Sequence, residues 1–379
     1  MVAGVGSRLW VTMELDGPQK GPGNVLVVAS RRAAPKSMVR YSRILVAGWR
    51  AVGSNVEEMS PPSCLSDRAR GNWMKKVATG IEQLVLFPII LRKAVRRFEC
   101  LHVADHSDAF LLFAVPRAIV SMVTVHDMFG VLAERGEIPE FRPRLIGRLR
   151  QRMVAQALAR RAAILFSISD ATARDLRRTT GRHSALLRNP VDPSVGIESL
   201  PSSDRDPSPF MMVVGAGGWR KRRDRAIGVW LRLRQTKLYS NARLIIVGEP
   251  LTAVEMVSVE AAGLTHRIEH QAEVSDGELA SLYQRSAALL QMSKYEGFAW
   301  PVVEANRLGC PAVCADIAVL RETGGAGALY VSEFAELDAV DWSGFAEMLA
   351  RLTGSGEPQA NADRFTWERF VMQLGGGAP

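Results

Sequence analysis

Between Tyr295 and Ala305 the chain reads Tyr-Glu-Gly-Phe-Ala-Trp-Pro-Val-Val-Glu-Ala, with two carboxylates, Glu296 and Glu304, on either side of a Gly-Phe pair and a proline. Proline suits the first turn of a helix, because its missing N–H would find no helical partner there. The spacing therefore predicts Glu296, Gly297 and Phe298 in a loop and Glu304 about one turn inside the following helix. Free backbone N–H groups and the positive end of the helix dipole favour a phosphate or a hydroxyl-rich ligand at such a place. A carboxylate there can accept hydrogen bonds from sugar or ribose hydroxyls. The competing reading is an ordinary acidic helix start with Phe298 and Trp300 in the core.

A second cluster, Gly215-Ala216-Gly217-Gly218-Trp219-Arg220-Lys221, follows an apolar run. Glycines let the backbone approach a ligand closely, and Arg220 and Lys221 can neutralise a diphosphate by fork and point charge respectively. The Gly-Lys-Ser/Thr ending of a Walker loop is absent, and Gly215, Gly217 and Gly218 do not follow Gly-x-Gly-x-x-Gly spacing. Beyond them, Arg222, Arg223 and Arg225 read as a solvated helix face. A third candidate, His126-Asp127, ends the run Val123-Thr124-Val125, at the edge where a parallel sheet puts ligand contacts. There His126 is structural or functional, and Asp127 either orients it or caps the next turn. Asp105-His106 is a weaker pair of the same kind.

Alternating strands and helices must position these groups. The continuous apolar run at 25–29 reads as a buried parallel strand, and largely apolar runs at 101–104, 119–125, 163–168, 210–214 and 244–248 read as further strands. Met38, Tyr41, Ile44, Leu45 and Trp49 recur at helical spacing, and Gly53 stops that helix. Asp170 is placed to cap a short helix. A Pro/Ser/Asp-rich stretch, 193–209, is the best linker. The pattern predicts an α/β protein with parallel sheets and ligand crevices at the strands' C-terminal ends.

At 379 residues the chain exceeds the usual single-core size, so two domains are expected. The formal charge of +9 points to an anionic partner. Four cysteines do not make a disulfide framework, and Cys310 and Cys314 have no second pair or nearby histidine for zinc. Residues 1–23 have no long apolar core and read as a poorly ordered extension. The run 84–91 is broken by Pro88 and too short to span a bilayer.

The run from Ser293 to Val331, with Tyr295-Glu296-Gly297-Phe298, Pro301, Glu304-Ala305 and Gly309-Cys310-Pro311-Ala312-Val313, resembles the donor-binding signature of family-4, GT-B-type retaining glycosyltransferases. Arg220 to Ile227 is similar to that family's Arg-Lys diphosphate clamp, with Arg222 where a glycine is usual, which leaves open which of Arg220, Lys221 and Arg222 reaches the phosphates. The resemblance implies two Rossmann-like domains facing an interdomain cleft: 24–192 on the acceptor side, 210–360 on the donor side. Residues 361–379 would hold a helix, around Phe365-Thr366-Trp367-Glu368, crossing back to the first domain, plus a tail. It implies a nucleoside diphosphate sugar held by Gly215, Gly217, Gly218, Arg220, Lys221, Glu296, Gly297, Phe298, Ala299 and Glu304. Glu296 would take sugar hydroxyls, Glu304 the ribose, and Arg220 and Lys221 the diphosphate. His126 and Asp127 would join Glu296, Arg220 and Lys221 in catalysis, without a cofactor or metal. The loop Ser30–Ser37 departs from the family by lacking a Gly-Gly pair, so acceptor identity cannot be carried over.

The expected function is hexosyl transfer to a glycan or lipid-linked acceptor in cell-envelope polysaccharide synthesis, without nucleic acid. A non-catalytic sugar-nucleotide or anionic-surface binding protein and a nucleotide-sugar epimerase are the alternatives. The mixed apolar and basic stretch Trp73–Phe87 reads as an interfacial helix or as a core-facing helix with a basic back. The arginines between Arg142 and Arg161 face anionic lipid or water. With no export signal, the expected place is the cytoplasm, or the inner face of the membrane as a peripheral protein. Asp204-Arg205-Asp206 has metal-binding spacing but falls in the linker.

Overall fold

The computed structural model describes residues 21–31, 35–191 and 209–376. The extension at 1–20, the linker at 193–208 with its Asp-Arg-Asp, and part of the Ser30–Ser37 loop lie outside the described residues. Two compact units divide the chain, one reaching Asn189 and resuming at Glu368, the other running from Pro190 to Trp367. The second unit thus extends past the expected boundary at 360 and takes in Phe365, which meets Phe298 edge to face at 5.4 Å.

In the first unit, β1 (Asn24–Val28), β2 (Asn55–Met59), β3 (Cys100–Val103), β4 (Val120–Val125), β5 (Ile164–Ser167) and β6 (Ala185–Leu186) form a parallel sheet in the order β2-β1-β3-β4-β5-β6. Val25, Val27, Leu101, Val103, Val123 and Val125 have essentially no exposed surface, as strands covered on both faces require. A helix, Lys36–Ala51, buries Tyr41, Leu45 and Trp49 and is followed by Gly53 at φ 84°. The helix Asp170–Thr180 is capped by Ser169, whose Oγ accepts the Thr172 N–H, so Asp170 is its first residue rather than its cap. The final helix, Trp367–Leu374, packs Phe370 and Leu374 over Gly48. A Cβ at Gly48 would lie 2.7 Å from the Phe370 ring, so no larger residue fits.

Between β2 and β3 the chain is helical over Asn72–Ile81, turns through one wide π segment at Glu82–Leu86, and continues as helix Phe87–Ala94. The wide turn ends one residue short of Pro88, which has no N–H to offer and whose ring would crowd the carbonyl four residues back. Glu82 is fully buried here. Its carboxylate accepts from the Leu65 N–H at 2.6 Å, Ser66 Oγ at 2.8 Å and Arg31 at 3.2 Å. Burial alone would raise this carboxyl's pKa; the hydrogen bonds from Ser66 and Leu65, with Arg31 beside them, outweigh it and hold the group below the ordinary carboxylate range.

The second unit repeats the plan. β7 (Phe210–Gly215), β8 (Arg243–Gly248), β9 (Ile268–Gln271), β10 (Ala288–Gln291), β11 (Ala312–Ala315) and β12 (Ala328–Val331) form a parallel sheet in the order β12-β11-β10-β7-β8-β9. The chain builds outward from β7 to β9 on one side, then returns to lay β10 to β12 on the other. β7 and β10 therefore flank the point where strand order reverses, the place an open parallel sheet leaves a crevice for a ligand.

Candidate functional site

Both loops predicted to bind donor leave the sheet at that reversal. The glycine-rich loop follows β7. Gly215 and Gly218 have φ of 119° and 106°, values that side chains rarely tolerate. Gly215 is also paired across the sheet with Gly248, where a Cβ would come within 2.8 Å of the Gly215 carbonyl oxygen. Arg222 then takes the left-handed conformation, φ 48° and ψ 48°, and the helix Arg223–Leu233 begins. The substitution of arginine for the family's usual glycine thus leaves a backbone shape that glycine adopts without strain.

The acidic loop follows β10, whose last residue is Gln291. Glu296 Oε1 accepts from Lys221 Nζ at 2.5 Å, Ser293 Oγ at 2.7 Å and Gln291 Nε2 at 3.0 Å. Gln291 also donates to Ser293 Oγ at 2.8 Å, and both side chains are buried. The loops are tied through the backbone as well, the Lys294 N–H donating to the Arg220 carbonyl at 2.8 Å. The structure thus brings Arg220, Lys221 and Glu296 together at the strand-order reversal. Gly297 and Phe298 lie in the loop as the spacing predicts. Ala299 caps the helix Trp300–Arg307 at φ 67°, so both helices that start at this crevice are entered through a non-glycine residue in the left-handed region. Glu304 is buried within that helix, with the Tyr283 hydroxyl 3.5 Å from its Oε2.

Several residues that matter here carried no local signal. Arg223, read from sequence as part of a solvated face, is 2% exposed. It forks onto the Glu255 carboxylate at 2.9 Å and donates to the carbonyls of Glu249 and Pro250. Four of the guanidinium's five donors are taken there by groups 26 to 32 residues downstream. It fixes the loop after β8, from which Glu249 accepts the Gly217 N–H at 2.8 Å. Arg225 likewise donates to the carbonyls of Ser332 and Ala335. Gln291 and Ser293 were invisible as a pair because they orient Glu296 only once the loop folds back over the strand end.

In the first unit, His126 and Asp127 directly follow β4. The His126 ring is buried, its edge against Tyr41 with centroids 4.4 Å apart. Its Nε2 lies 2.8 Å from the Ala104 carbonyl oxygen, which can only accept, so Nε2 carries the proton. Among the described residues its Nδ1 has no partner. Burial holds this imidazole below the ordinary histidine range, with Asp105 only partly offsetting it. Asp127 Oδ1 accepts the Phe129 N–H at 2.9 Å, capping the turn, and lies 3.9 Å from His106. Asp105 caps the neighbouring turn through the Ser107 N–H at 2.8 Å and lies 3.5 Å from His106. Among the described residues no group of three or more His, Cys, Asp or Glu is arranged to hold a metal ion, and no helix is long and apolar enough to cross a membrane.

Residues 199–353 match the family glycosyl transferases group 1. That stretch holds both loops at the β7/β10 reversal. The serotype-specific mannosyltransferase WbdA of Escherichia coli is 34% identical over 102 residues, 27% of this chain but only 12% of that relative's length. The O-antigen chain mannosyltransferase B of the same organism is 31% identical over 107 residues, 26% of this chain and 27% of the relative. Among solved structures, Anabaena HepE in complex with UDP and glucose superposes with a TM-score of 0.67 at 14% identity, over 93% of this chain and 98% of that one. WaaG, a glycosyltransferase involved in lipopolysaccharide biosynthesis, gives 0.64 at 13% identity over 93% and 100%. At such identities the likeness concerns the fold, and that fold is GT-B: two α/β units, each on a six-stranded parallel sheet.

Proposed function

We propose that the chain is a retaining, metal-independent glycosyltransferase that moves a hexose from a nucleoside diphosphate sugar to a glycan or lipid-linked acceptor in cell-envelope polysaccharide synthesis. The observation that carries this reading is the Lys221–Glu296 contact across the β7/β10 reversal, which joins a diphosphate-type cation to a hydroxyl-type carboxylate. In the reaction the sugar C1–oxygen bond to the diphosphate breaks and the acceptor oxygen bonds to C1. The acceptor proton leaves with the nucleoside diphosphate. Negative charge grows on the departing phosphate, and Arg220 and Lys221 neutralise it from a loop already in place, which lowers the barrier. Glu296, held by Gln291 and Ser293, accepts from sugar hydroxyls, with the Gly297, Phe298 and Ala299 backbone beside it, while Glu304 takes the ribose. The Gly217 N–H, now given to Glu249, turns to the phosphate in the loaded loop. His126 and Asp127 are the candidate groups of the first unit, and Asp127, partly exposed, is the more open to ligand. Mannose is the first sugar to test, given the two mannosyltransferase relatives. The work is done on the cytoplasmic side, at or beside an anionic membrane surface.

The test is transfer from a panel of GDP- and UDP-hexoses to lipid-linked acceptor, with and without excess EDTA, with the product anomer read by NMR. Retained configuration and EDTA-resistant turnover are expected. Loss with EDTA that manganese restores refutes metal independence. Epimerised donor in the absence of acceptor supports the epimerase instead, and nucleotide-sugar binding without turnover supports a non-catalytic binder.

A further inference from the structure

The helical stretch between β2 and β3 turns an apolar face outward. Its inward line, Glu82, Phe87, Leu91 and Val95, is buried, stepping five residues across the π segment and four thereafter. On the other side Trp73 is 73% exposed, Leu84 52%, Val85 51% and Ile89 53%. Single exposed leucines are ordinary, but a line of large apolar side chains over about four turns marks an interaction surface. From 64 to 97 the chain carries eight Lys or Arg against two carboxylates, Asp67 and Glu82, and Glu82 is buried against Arg31. Lys75, Lys76, Arg92 and Lys93 are all exposed. The helix Leu145–Arg160 repeats the combination, exposing Leu145, Ile146 and Leu149 beside Arg144 and Arg148. Arg92 donates to the Ala114 carbonyl, and Arg161 to those of Leu112 and Val115, so both helices lean on the same segment.

We propose that this face, centred on Trp73, Leu84 and Ile89, docks on an anionic phospholipid bilayer, an inference that rests on the transferase reading for its use. The apolar line enters the boundary between headgroups and acyl chains, and the lysines and arginines around it reach the phosphates. Charge decides the occupant. A symmetric pairing of two copies would set the same cationic stretch against itself, whereas an anionic leaflet attracts each cation by about fivefold in binding. Glu82 gives the face a fixed base, because its carboxylate ties the helix to 64–68 and to the loop after β1.

Flotation of the full chain with vesicles, without nucleotide sugar, tests the proposal independently of catalysis. Binding to phosphatidylglycerol-containing vesicles should exceed binding to phosphatidylcholine vesicles at least tenfold and fall as salt rises. Leu84→Asp with Ile89→Asp should abolish it, and Lys75→Glu with Lys76→Glu should weaken it at least tenfold, with the thermal shift by nucleotide unchanged in both. The proposal is overturned by absence of flotation at low ionic strength, by retained binding in the Leu84/Ile89 variant, or by a concentration-dependent dimer that this variant dissolves. Failed flotation with intact sugar transfer would remove the docking surface and leave the transferase standing.

Discussion

The loops after β7 and β10 in the second unit and the C-terminal halves of β3 and β4 in the first lie towards the same edge of two parallel sheets, yet they are finished differently. At β7 and β10 the charged groups sit on loops, half-buried, each aimed by a neighbour: Lys221 by Glu296, and Glu296 by Gln291 and Ser293. At β3 and β4 the polar groups turn inward. His102, with no exposed surface, accepts from Trp49 Nε1 at 3.0 Å on its Nδ1 and donates from Nε2 to Thr124 Oγ1 at 2.9 Å, and Tyr41 donates to the same oxygen. One unit thus carries its polar cluster on half-buried loops, and the other encloses its cluster within the sheet, where it specifies the core. What separates them is exposure, because the hydrogen bonds named here are closed within the protein in both units.

The sharpest way to break that contrast is Lys221→Ala. If the pair acts on departing diphosphate, turnover should fall roughly 10²- to 10³-fold with an unchanged melting profile; an equal loss of stability and activity would make Lys221 a structural residue. Next, Glu304→Gln should weaken nucleotide binding by about 1.5–3 kcal/mol, as loss of charge-assisted bonds to ribose predicts. Calorimetry showing wild-type affinity in a folded variant would take Glu304 out of the site.

The first unit should instead answer to pH. Burial lowers the His102 pKa to about 3, from an ordinary 6.5. Between those values the unfolded chain binds a proton that the native state refuses. Stability therefore falls as pH drops below 6.5 and goes on falling to about 3, a loss of about 2 kcal/mol by pH 5. His102→Gln, which can still accept from Trp49 and donate to Thr124, should flatten that part of the urea-unfolding profile. An unchanged slope would mean that other groups set it. The smallest effect is expected from Arg222→Gly and Ala299→Gly, each relieving a left-handed residue and raising stability by about 1 kcal/mol. Lower melting temperatures would show that these side chains hold their loops by contacts worth more than the strain.

Much of this was legible in the sequence. Strands β1, β4, β5, β7 and β8 announce themselves as largely apolar runs because both faces of a parallel sheet are covered. The proline at 301 marks its helix start because the missing N–H has only one comfortable place. What stayed hidden depends on distant partners. Arg223 looks solvated until Glu255 folds over it, and Ser169 and Asp170 are both good caps, so only backbone geometry chooses between them. The direction of the Trp73–Ile89 face was ambiguous because the π segment shifts the helical phase by one residue, which no uniform period captures. His126 shows the limit most clearly. Its place at a strand end was readable, but the turn of its ring toward the Ala104 carbonyl was not.

The final helix, Trp367–Leu374, closes over Gly48 although all of the second unit lies between them in the chain. During synthesis the first unit must therefore wait, its Gly48 surface bare, until the ribosome has produced the whole second unit. Biogenesis is then ordered in a way the layout of two units does not suggest: the part made first is the part completed last. A nascent chain arrested before Trp367 would carry a complete second unit and an unfinished first one, and should depend more on chaperones than the full chain does.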